Sequence, residues 1–323
     1  MAMATGTFPQ TIVEFDERFH DEAACREYLR QVRWPDGWCC ERCGHTKGWT
    51  TARNLVHCAG CGHEVSVTAG TILHGTKRPV RLWFKAMFLM TTLKNGLSAS
   101  MLAQHVGVSY PTAWTWLHKL RRAMVDPQRS PLTGRVEVDE TYVGSDPDRS
   151  RGRRQGARRA VLIAVEDKAG VIGRARIVAM KGVRGPDIEK AVCATIATGA
   201  TLHTDGWQGY APLCQKGYQR QIDRLNPAAS NKERAARAEA LFPRVHLVAS
   251  LLKRWLLGTH QGAVRAKHQQ SYYDEFIFRF NRRAASARTL LFERLTGFAV
   301  RIQAKTYRQI IATSEPTLPV VVT

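Results

Sequence analysis

The sequence predicts a mixed α/β domain in the second half of the chain, preceded by a small cysteine-rich module and an all-α segment. Three observations predict this order. Two C-x2-C pairs lie early in the chain, and two helical patterns joined by a tight turn follow them. Apolar, strand-like runs then begin after residue 133 and are interrupted by a helical pattern. A length of 323 residues suits two or three domains.

The charge of the chain favours a polyanionic partner. Forty-eight Lys and Arg residues against 27 Asp and Glu residues give a net charge of +21 and a pI near 10.1. Nucleic acid is the first candidate partner and an anionic membrane the second. The longest apolar stretch, LWFKAMFLMTTL, is broken by Lys85 and falls short of a membrane span, and the N-terminus lacks signal-peptide features. We therefore expect a cytoplasmic protein without membrane attachment, whose eight cysteines bind metal or remain free thiols.

The first elements are a helical segment over residues 1–37 and a zinc ribbon over residues 38–75. In the ribbon, Cys40 and Cys43 form one C-x2-C pair and Cys58 and Cys61 the other. Four thiolates at this spacing hold zinc tetrahedrally and leave no open position, which predicts a structural Zn²⁺. The alternative is two unconnected pairs of buried thiols, which would not explain the paired spacing.

Residues 76–126 are predicted to form a helix-turn-helix DNA-binding domain. Its two helices span residues 98–106 and 111–124, with Ser109 as the cap of the second and Pro111 in its first turn. The second helix of such a motif enters the major groove, and the alternative is an ordinary helical hairpin. Six residues of this helix are predicted to be exposed and to contact DNA: Thr112, Thr115, His118, Lys119, Arg121 and Arg122.

A Pro- and Gly-containing boundary at residues 126–134 precedes a strand with the sequence RVEVDETYVG. Asp139 and Glu140 are adjacent in it and therefore point to opposite faces. Taken alone, the strand is more typical of an edge strand that carries two solvated acids, and the catalytic interpretation depends on its surroundings. The Arg-rich segment 145–159 follows, and Arg153 and Arg154 are predicted to clamp a DNA backbone, the alternative being a solvated loop.

The next elements predict a ribonuclease H-like domain over residues 133–290. Strands at 160–166 and 175–180, a helix at 186–196 and a strand at 201–205 follow one another. In that fold the first and fourth strands are neighbours, so Asp139 and Asp205 would lie side by side. Two aspartates at one sheet edge can hold divalent metal for phosphoryl transfer. A C-terminal helix and tail, frayed after residue 314, complete the chain at residues 291–323.

A helix over residues 241–258 is predicted to complete this site. His246 and Lys253 are seven residues apart and share one helix face. Lys253 would hold the DNA backbone, and the neighbouring Arg254 is a further predicted DNA contact. A second amphipathic helix is predicted at residues 272–283.

The order of the motifs resembles one family. A zinc ribbon, a helix-turn-helix, VDETYVG, HTDGWQGY, LLKRWLLGTH and YYDEFIFRFNRR occur in sequence across residues 20–285. This order is similar to that of prokaryotic insertion-sequence transposases that join an N-terminal zinc ribbon to an ISXO-type DDE domain. The resemblance implies a ribonuclease H-like fold with a mixed five-stranded sheet, and Mg²⁺-dependent cleavage and joining of double-stranded DNA at terminal inverted repeats and a target. It also implies a nucleoid-associated homodimer or larger synaptic complex on the DNA.

The resemblance assigns the catalytic residues by position. Asp139 and Asp205 match the first two acids of the family's triad, and Lys253 matches the basic residue two turns after the third. His246 stands at the third position, which gives a DDH variant, and Glu239 is an outside candidate. Because imidazole is a softer donor than carboxylate, we expect Mn²⁺ to support activity at least as well as Mg²⁺. Two alternatives are a non-catalytic DNA-binding relic or regulator, and a structure-specific nuclease.

Overall fold

The computed structural model describes residues 9–144, 159–224, 230–262, 264–285 and 289–312. The helices in these ranges are α1 Ile12–Arg18, α2 Glu22–Arg33, α3 Val80–Thr92, α4 Ala99–Val106, α5 Tyr110–Ala123, α6 Gly185–Cys193, α7 Asn231–Leu241, α8 Pro243–His260, α9 Gln269–Phe280, α10 Thr289–Ala299 and α11 Tyr307–Ala312. The strands are β1 Gly48–Thr50, β2 Leu55–Cys58, β3 Glu64–Ser66, β4 Arg135–Val143, β5 Arg159–Lys168, β6 Val171–Ala179, β7 Thr201–Thr204 and β8 Gln219–Ile222. Two 3₁₀ segments lie at Gln208–Lys216 and Ala266–His268.

The chain divides into two compact units. The first comprises Met1–Pro127 together with Ala284–Thr323, and the second comprises Gln128–Arg283. The sequence had suggested a catalytic domain reaching residue 290 and a separate C-terminal helix and tail. In the structure, α10 and α11 belong to the first unit, because α10 packs against α3, α2 and α5. The tail predicted to fray after residue 314 lies outside the described residues.

An aromatic cluster holds the first unit together. Phe15 of α1 and Phe19 just after it face Phe84 and Phe88 of α3, with ring centroids 4.8 Å apart for Phe15 and Phe88 and 5.0 Å for Phe19 and Phe84. Phe292 of α10 is fully buried, and its ring lies 5.7 Å from Phe19. Burial of such a ring is worth roughly 1.5–3 kcal/mol, so α10 is an integral part of this core.

The helix-turn-helix consists of α4, a turn at Gly107 and α5. Ser98 caps α4 by accepting a 3.2 Å hydrogen bond from the Met101 amide, and Gly107 ends it with φ +65°. The predicted cap of α5 is wrong in its bonding. Ser109 occupies the N-cap position but makes no capping bond to the backbone, because its hydroxyl pairs with that of Thr112 at 2.9 Å.

The exposure predicted along α5 is wrong at two of the six positions. His118 is 2% and Arg121 1% exposed, whereas the other four remain partly exposed: Thr112, Thr115, Lys119 and Arg122. The cause is that α10 and α11 pack against α5 and cover a second face of it. The His118 ring lies 4.1 Å from that of Trp114, and the Trp114 ring lies 6.3 Å from that of Tyr307 in α11. The side chains of His118 and Arg121 are therefore not accessible for DNA contacts.

The second unit is built on a five-stranded mixed sheet in the order β6-β5-β4-β7-β8. β6, β5 and β4 are antiparallel, while β4, β7 and β8 are parallel. The predicted adjacency of the first and fourth strands is thus confirmed by the β4–β7 pair. Two apolar cores cover the sheet: α6 and the 3₁₀ segment 208–216 pack on one face, and α8 and α9 on the other.

Helix bounds in the second unit differ slightly from the predicted ones. α8 begins at Pro243 and runs to His260, and α9 begins at Gln269, three residues before its predicted start.

Across the described parts of the chain, none of the helices combines the length and hydropathy that a membrane crossing requires.

Candidate catalytic and metal sites

The four predicted zinc ligands converge in the ribbon. The sulfur atoms of Cys40 and Cys61 lie 3.7 Å apart, those of Cys43 and Cys58 3.6 Å apart, and all four lie within 4.8 Å of one another. Tetrahedral zinc with Zn–S bonds of about 2.3 Å requires S–S separations of about 3.8 Å, so this donor set fits Zn²⁺. Each pair is closed by a turn in which Gly44 or Gly62 adopts a positive φ, +73° or +71°.

β4 separates its two acids as predicted. Val136 and Val138 pack in the core beside α6, on the face that Glu140 shares. Asp139 lies on the opposite face, toward α8, and its Oδ1 accepts a 2.9 Å hydrogen bond from the Glu140 amide.

The strand register brings Asp139 and Asp205 together. In the parallel β4–β7 pair, Glu137 lies opposite His203. Two residues further along come Asp139, in the middle of β4, and Asp205, just after the end of β7, so the register places the two aspartates side by side. Asp205 Oδ1 accepts a 2.9 Å bond from the Trp207 amide, which fixes the turn that follows β7. The carboxyl end of a parallel strand, here β7, is where open sheets commonly place functional groups.

A buried tyrosine lies near the two aspartates. Tyr210, in the 3₁₀ segment after Asp205, is 1% exposed. Burial, and then the negative charges of Glu140, Asp139 and Asp205, raise the pKa of Tyr210 well above its ordinary value. Tyr210 is therefore a neutral hydroxyl within electrostatic reach of three carboxylates.

α8 brings Lys253 and His246 to the same side of the sheet. Lys253 Nζ donates a 2.7 Å hydrogen bond to Oγ1 of Thr141, which shares the Asp139 face of β4. His246 is partly buried, and burial lowers its pKa; the charges of Glu239 and Glu137 act in the opposite direction and that of Lys253 in the same direction. His246 is therefore neutral at pH 7 and lies within electrostatic range of Lys253 and Glu239.

The candidate triad is not gathered as closely as the zinc ligands. Within the described ranges, the four cysteines are the only set of three or more His, Cys, Asp or Glu residues whose ligand atoms all lie within 4.8 Å of one another. The donor atoms of Asp139, Asp205 and His246 do not meet that limit together. The two adjacent carboxylates suit a hard divalent cation, and α8 contributes no carboxylate to them.

Glu137 anchors α8 to β4, a role that sequence reasoning missed. Its carboxylate is fully buried and accepts hydrogen bonds from the backbone amides of Arg244 and Val245, at 2.9 and 3.1 Å, and from the Arg244 guanidinium. An acid at the start of a helix pairs favourably with the unsatisfied amides of its first turn. Glu137 lies two residues before Asp139, so the same strand positions both the aspartate and the helix.

A second set of polar contacts anchors β7. The Arg135 guanidinium can only donate, so Nδ1 of the buried His203 accepts its 2.9 Å hydrogen bond. His203 Nε2 then donates to Asp223 at 2.7 Å, and the His203 ring lies 4.6 Å from Phe242 at the start of α8. Asp167 pairs with both Arg135 and Arg244, which joins the two sets of contacts.

The remaining predicted contacts divide into described and undescribed residues. Arg254 is exposed on α8 beside Lys253. Arg153 and Arg154 lie outside the described residues.

One signal in the sequence could have identified Glu137. An acid between two buried valines in a strand requires a buried cation or amide partner. Its partner Arg244 is 107 residues away and could not be chosen from the sequence.

Two domain families match the chain. Residues 131–281 match the ISXO2-like transposase domain, and residues 20–64 match the transposase zinc-ribbon domain. No curated protein matches the chain in sequence. The family match and the strand order confirm the predicted ribonuclease H-like fold class.

Solved structures of the Mos1 transposase are also similar to the chain. The Mos1 strand transfer complex has 12% sequence identity and a TM-score of 0.20, over 65% of this chain and 78% of that chain. A pre-cleavage Mos1 transpososome has 11% identity and a TM-score of 0.20, over 66% and 76%. At these TM-scores the fold assignment rests on the strand order and the family match.

Proposed function

Because the chain belongs to the insertion-sequence transposases that carry an N-terminal zinc ribbon, we propose that it binds the terminal inverted repeats of its element and catalyses metal-dependent cleavage and joining of DNA strands. The observation that supports the chemistry is the register of β4 and β7, which sets Asp139 beside Asp205 near the end of β7. The proposed zinc is structural, since four thiolates leave no open position on the ion.

Asp139 and Asp205 are the residues that would hold the catalytic cation. A bound Mg²⁺ or Mn²⁺ supplies charge stabilisation to the phosphoryl oxygens during in-line displacement. Asp139 and Asp205 each accept a backbone amide through Oδ1, which fixes the orientation of both carboxylates before the cation arrives. Such fixed ligands reduce the reorganisation that the reaction requires.

Lys253 and His246 are the proposed contributions of α8. Lys253 is exposed at its amino group and is oriented by Thr141 toward the Asp139 face, where it would bind a non-bridging phosphate oxygen of the DNA. His246, neutral at pH 7 because burial lowers its pKa, is the proposed third ligand. Arg254 would contact the DNA backbone next to them.

The first unit is the proposed DNA-recognition unit. The N-terminal half of α5 keeps Thr112 and Thr115 partly exposed, as the second helix of a helix-turn-helix requires. A net charge of +21 favours the DNA backbone. We propose that two or more copies assemble on paired element ends.

The test is a cell-free reaction with purified protein, DNA that flanks its own gene, and Mg²⁺ or Mn²⁺. Wild type is expected to nick and join the ends. Asp139→Asn and Asp205→Asn are expected to lose both steps and keep duplex binding, whereas the exposed control Asp36→Asn keeps all three. Full activity in both active-site variants would overturn the assignment of the carboxylates.

A second candidate function has one observation in its favour. α8 offers no carboxylate for a third metal ligand, as expected of a transposase-derived regulator that binds DNA without cutting it. The same reaction separates the candidates, because a regulator binds the ends and leaves them intact in either metal. A structure-specific nuclease would cleave without joining.

A further inference from the structure

A cleft in the first unit lies between the N-terminal half of α5 and the loop that precedes α3. Its volume is about 480 Å³. One wall is formed by the loop over residues 74–78, a second by α5, and Tyr307 of α11 contributes to a third. The walls carry hydroxyl groups and cations, among them Lys77, Arg78, Thr112, Thr115 and Lys119.

The charge of this cleft is uncompensated. Lys77, Arg78 and Lys119 line it, and its lining contains no acidic residue. Among the described residues, no Asp or Glu side chain forms an ion pair with any of the three. Lys119 is half-buried, with Nζ 5.9 Å from the centre of the Trp83 ring, and burial lowers its pKa. A partly desolvated cation without a carboxylate partner is stabilised by an incoming anion.

The loop that presents Lys77 and Arg78 is braced by hydrogen bonds. Thr76 Oγ1 accepts a 3.0 Å bond from Trp83 Nε1 of α3 and a 3.3 Å bond from the Arg78 amide. Beneath the cleft, the buried rings of Trp83 and Trp116 stack at 4.2 Å and fix α3 against α5. The two exposed cations are therefore held at a set position relative to α5, which lowers the entropy cost of binding a charged ligand.

The open N-terminal turn of α5 adds to the attraction for anions. Ser109 makes no capping bond to this turn, so the helix dipole presents its positive end without a side-chain oxygen on the backbone amides. Pro111, Thr112 and Thr115 of the first turns all line the cleft. The cleft thus places three cations next to the helix end that enters the groove in a helix-turn-helix.

We propose that this cleft binds the sugar-phosphate backbone of duplex DNA, with Lys77, Arg78 and Lys119 on successive phosphates of one strand while α5 enters the adjoining groove. This inference rests on the proposed function, since it names the part of the DNA that the recognition unit holds and adds the 74–78 loop to that unit. Backbone contacts fix register and orientation without reading sequence, so the loop contributes affinity for any duplex.

The experiment measures the salt dependence of duplex binding. Full-length, zinc-loaded wild type and its variants are titrated, without Mg²⁺ or Mn²⁺, against a random-sequence 30-base-pair duplex at several salt concentrations. Each phosphate contact contributes about 0.9 to the slope of log affinity against log salt concentration. Lys77→Ala/Arg78→Ala is expected to lower the magnitude of the slope by about 1.8 and to weaken binding of random and element-end duplexes by the same factor.

The matched control removes the same charge elsewhere in the unit. Arg294 and Arg301 are exposed and do not line the cleft, so Arg294→Ala/Arg301→Ala is expected to keep the wild-type slope. Both double variants are compared by thermal melting, and Lys119→Met provides a third substitution within the cleft, with an expected slope change of about 0.9.

The outcomes separate this inference from the proposed function. If wild type binds duplex and the Lys77/Arg78 variant retains its slope, the cleft assignment fails alone. If wild type binds no duplex at any salt concentration, DNA binding by the whole protein fails. Saturable binding of inorganic phosphate or ATP that the variant abolishes, with duplex binding unchanged, would identify a small-molecule site and overturn the proposal.

Discussion

Lys253 on α8 donates a 2.7 Å hydrogen bond to Thr141, which lies two residues beyond Asp139 on the same face of β4. The bond links the helix that carries the candidate basic residue directly to the strand that carries the first aspartate. We expect Lys253→Ala to reduce strand joining about 10²-fold, because a fixed positive charge near the reacting phosphate is lost.

The rate of joining, measured at saturating metal, checks this prediction. Lys253→Arg keeps the positive charge but replaces the compact ammonium group with a planar guanidinium. It is therefore expected to retain part of the activity. Lys232→Ala, which removes an exposed lysine of α7, is the control. Equal rates for Lys253→Ala and this control would contradict the proposed role of Lys253.

His246 should determine the metal preference. We expect wild type to join ends in Mn²⁺ at least as fast as in Mg²⁺, and His246→Glu to shift the preference toward Mg²⁺, because a carboxylate is the harder donor. Strand-transfer rates in each metal measure the ratio. An unchanged ratio in His246→Glu would argue that residue 246 does not touch the cation.

The pH dependence of wild-type activity follows from the lowered pKa of His246. Burial holds the pKa below its ordinary 6.5, so the imidazole stays neutral and able to donate its lone pair as pH falls through 6.5. Activity should therefore persist below pH 6.5 and fall only when the lowered pKa is reached. His246→Asn, which does not titrate, should lack this fall in the pH–rate profile.

Removing Glu137 should destabilise the second unit. Glu137→Ala leaves two helix amides without their acceptor and removes one of the two carboxylates that pair with Arg244, so the expected loss is roughly 3–5 kcal/mol in the free energy of unfolding. Urea denaturation measures it. Glu137→Met/Arg244→Met also removes the guanidinium and should recover part of the loss, because only the two amides then lack an acceptor while Asp167 keeps its pair with Arg135. A double variant as unstable as Glu137→Ala would contradict this account.

Loss of zinc should unfold the ribbon and leave the second unit folded. When the ion is removed, the four thiolates no longer hold the two cysteine turns together, and structural zinc is worth about 10–16 kcal/mol in isolated zinc-finger peptides. Hydrogen exchange after chelation should show lost protection in residues 38–66. Cys40→Ser should reproduce this pattern, whereas Cys39→Ser, outside the sulfur cluster, should not.

Asp274 should make the stability of the second unit depend on pH. Burial raises its pKa to about 6, although Arg129, Gln270 and Arg176 lower it in part. Between the ordinary pKa of 3.8 and about 6, the folded protein retains a proton that the unfolded chain has released. Stability therefore falls as pH rises through this window, and the loss is complete above about pH 6.

Asp274→Asn tests this dependence. The free energy of unfolding of this variant should be about 1–3 kcal/mol higher than that of wild type at pH 7. At pH 4 the two values should be equal. Asp36→Asn, an exposed substitution, should follow wild type at both pH values. Parallel stability curves for wild type and Asp274→Asn would contradict the raised pKa.

The sequence predicted the parts of the fold in which local pattern and final environment agree. β4 and β5 are dense in β-formers, and Ser98 and Gly107 mark the ends of α4 by well-understood capping chemistry. The pairing of Asp139 with Asp205 followed from the order of the strands. In contrast, β8 has the sequence QRQI, which carries little apolar signal, and it was not located from the sequence.

Other features depend on contacts between distant residues. The burial of His118 and Arg121 results from α10 and α11, which are more than 160 residues further along the chain. The amphipathic pattern of α5 shows one packed face and gives no sign of a second. In the same way, nothing local to Glu137 specifies Arg244 as its partner, so the anchoring of α8 emerged only from the three-dimensional arrangement.

The composition of the first unit from both ends of the chain has a consequence for its synthesis. Phe292 enters the aromatic cluster formed by Phe15, Phe19, Phe84 and Phe88, and the ribosome makes it after the whole second unit. At a synthesis rate of about 5–20 residues per second, Phe292 is added on the order of ten seconds after the helix-turn-helix. A nascent or prematurely terminated chain therefore lacks a complete first unit, so under the proposed function the protein gains its DNA-recognition unit only after the five-stranded sheet has been synthesised.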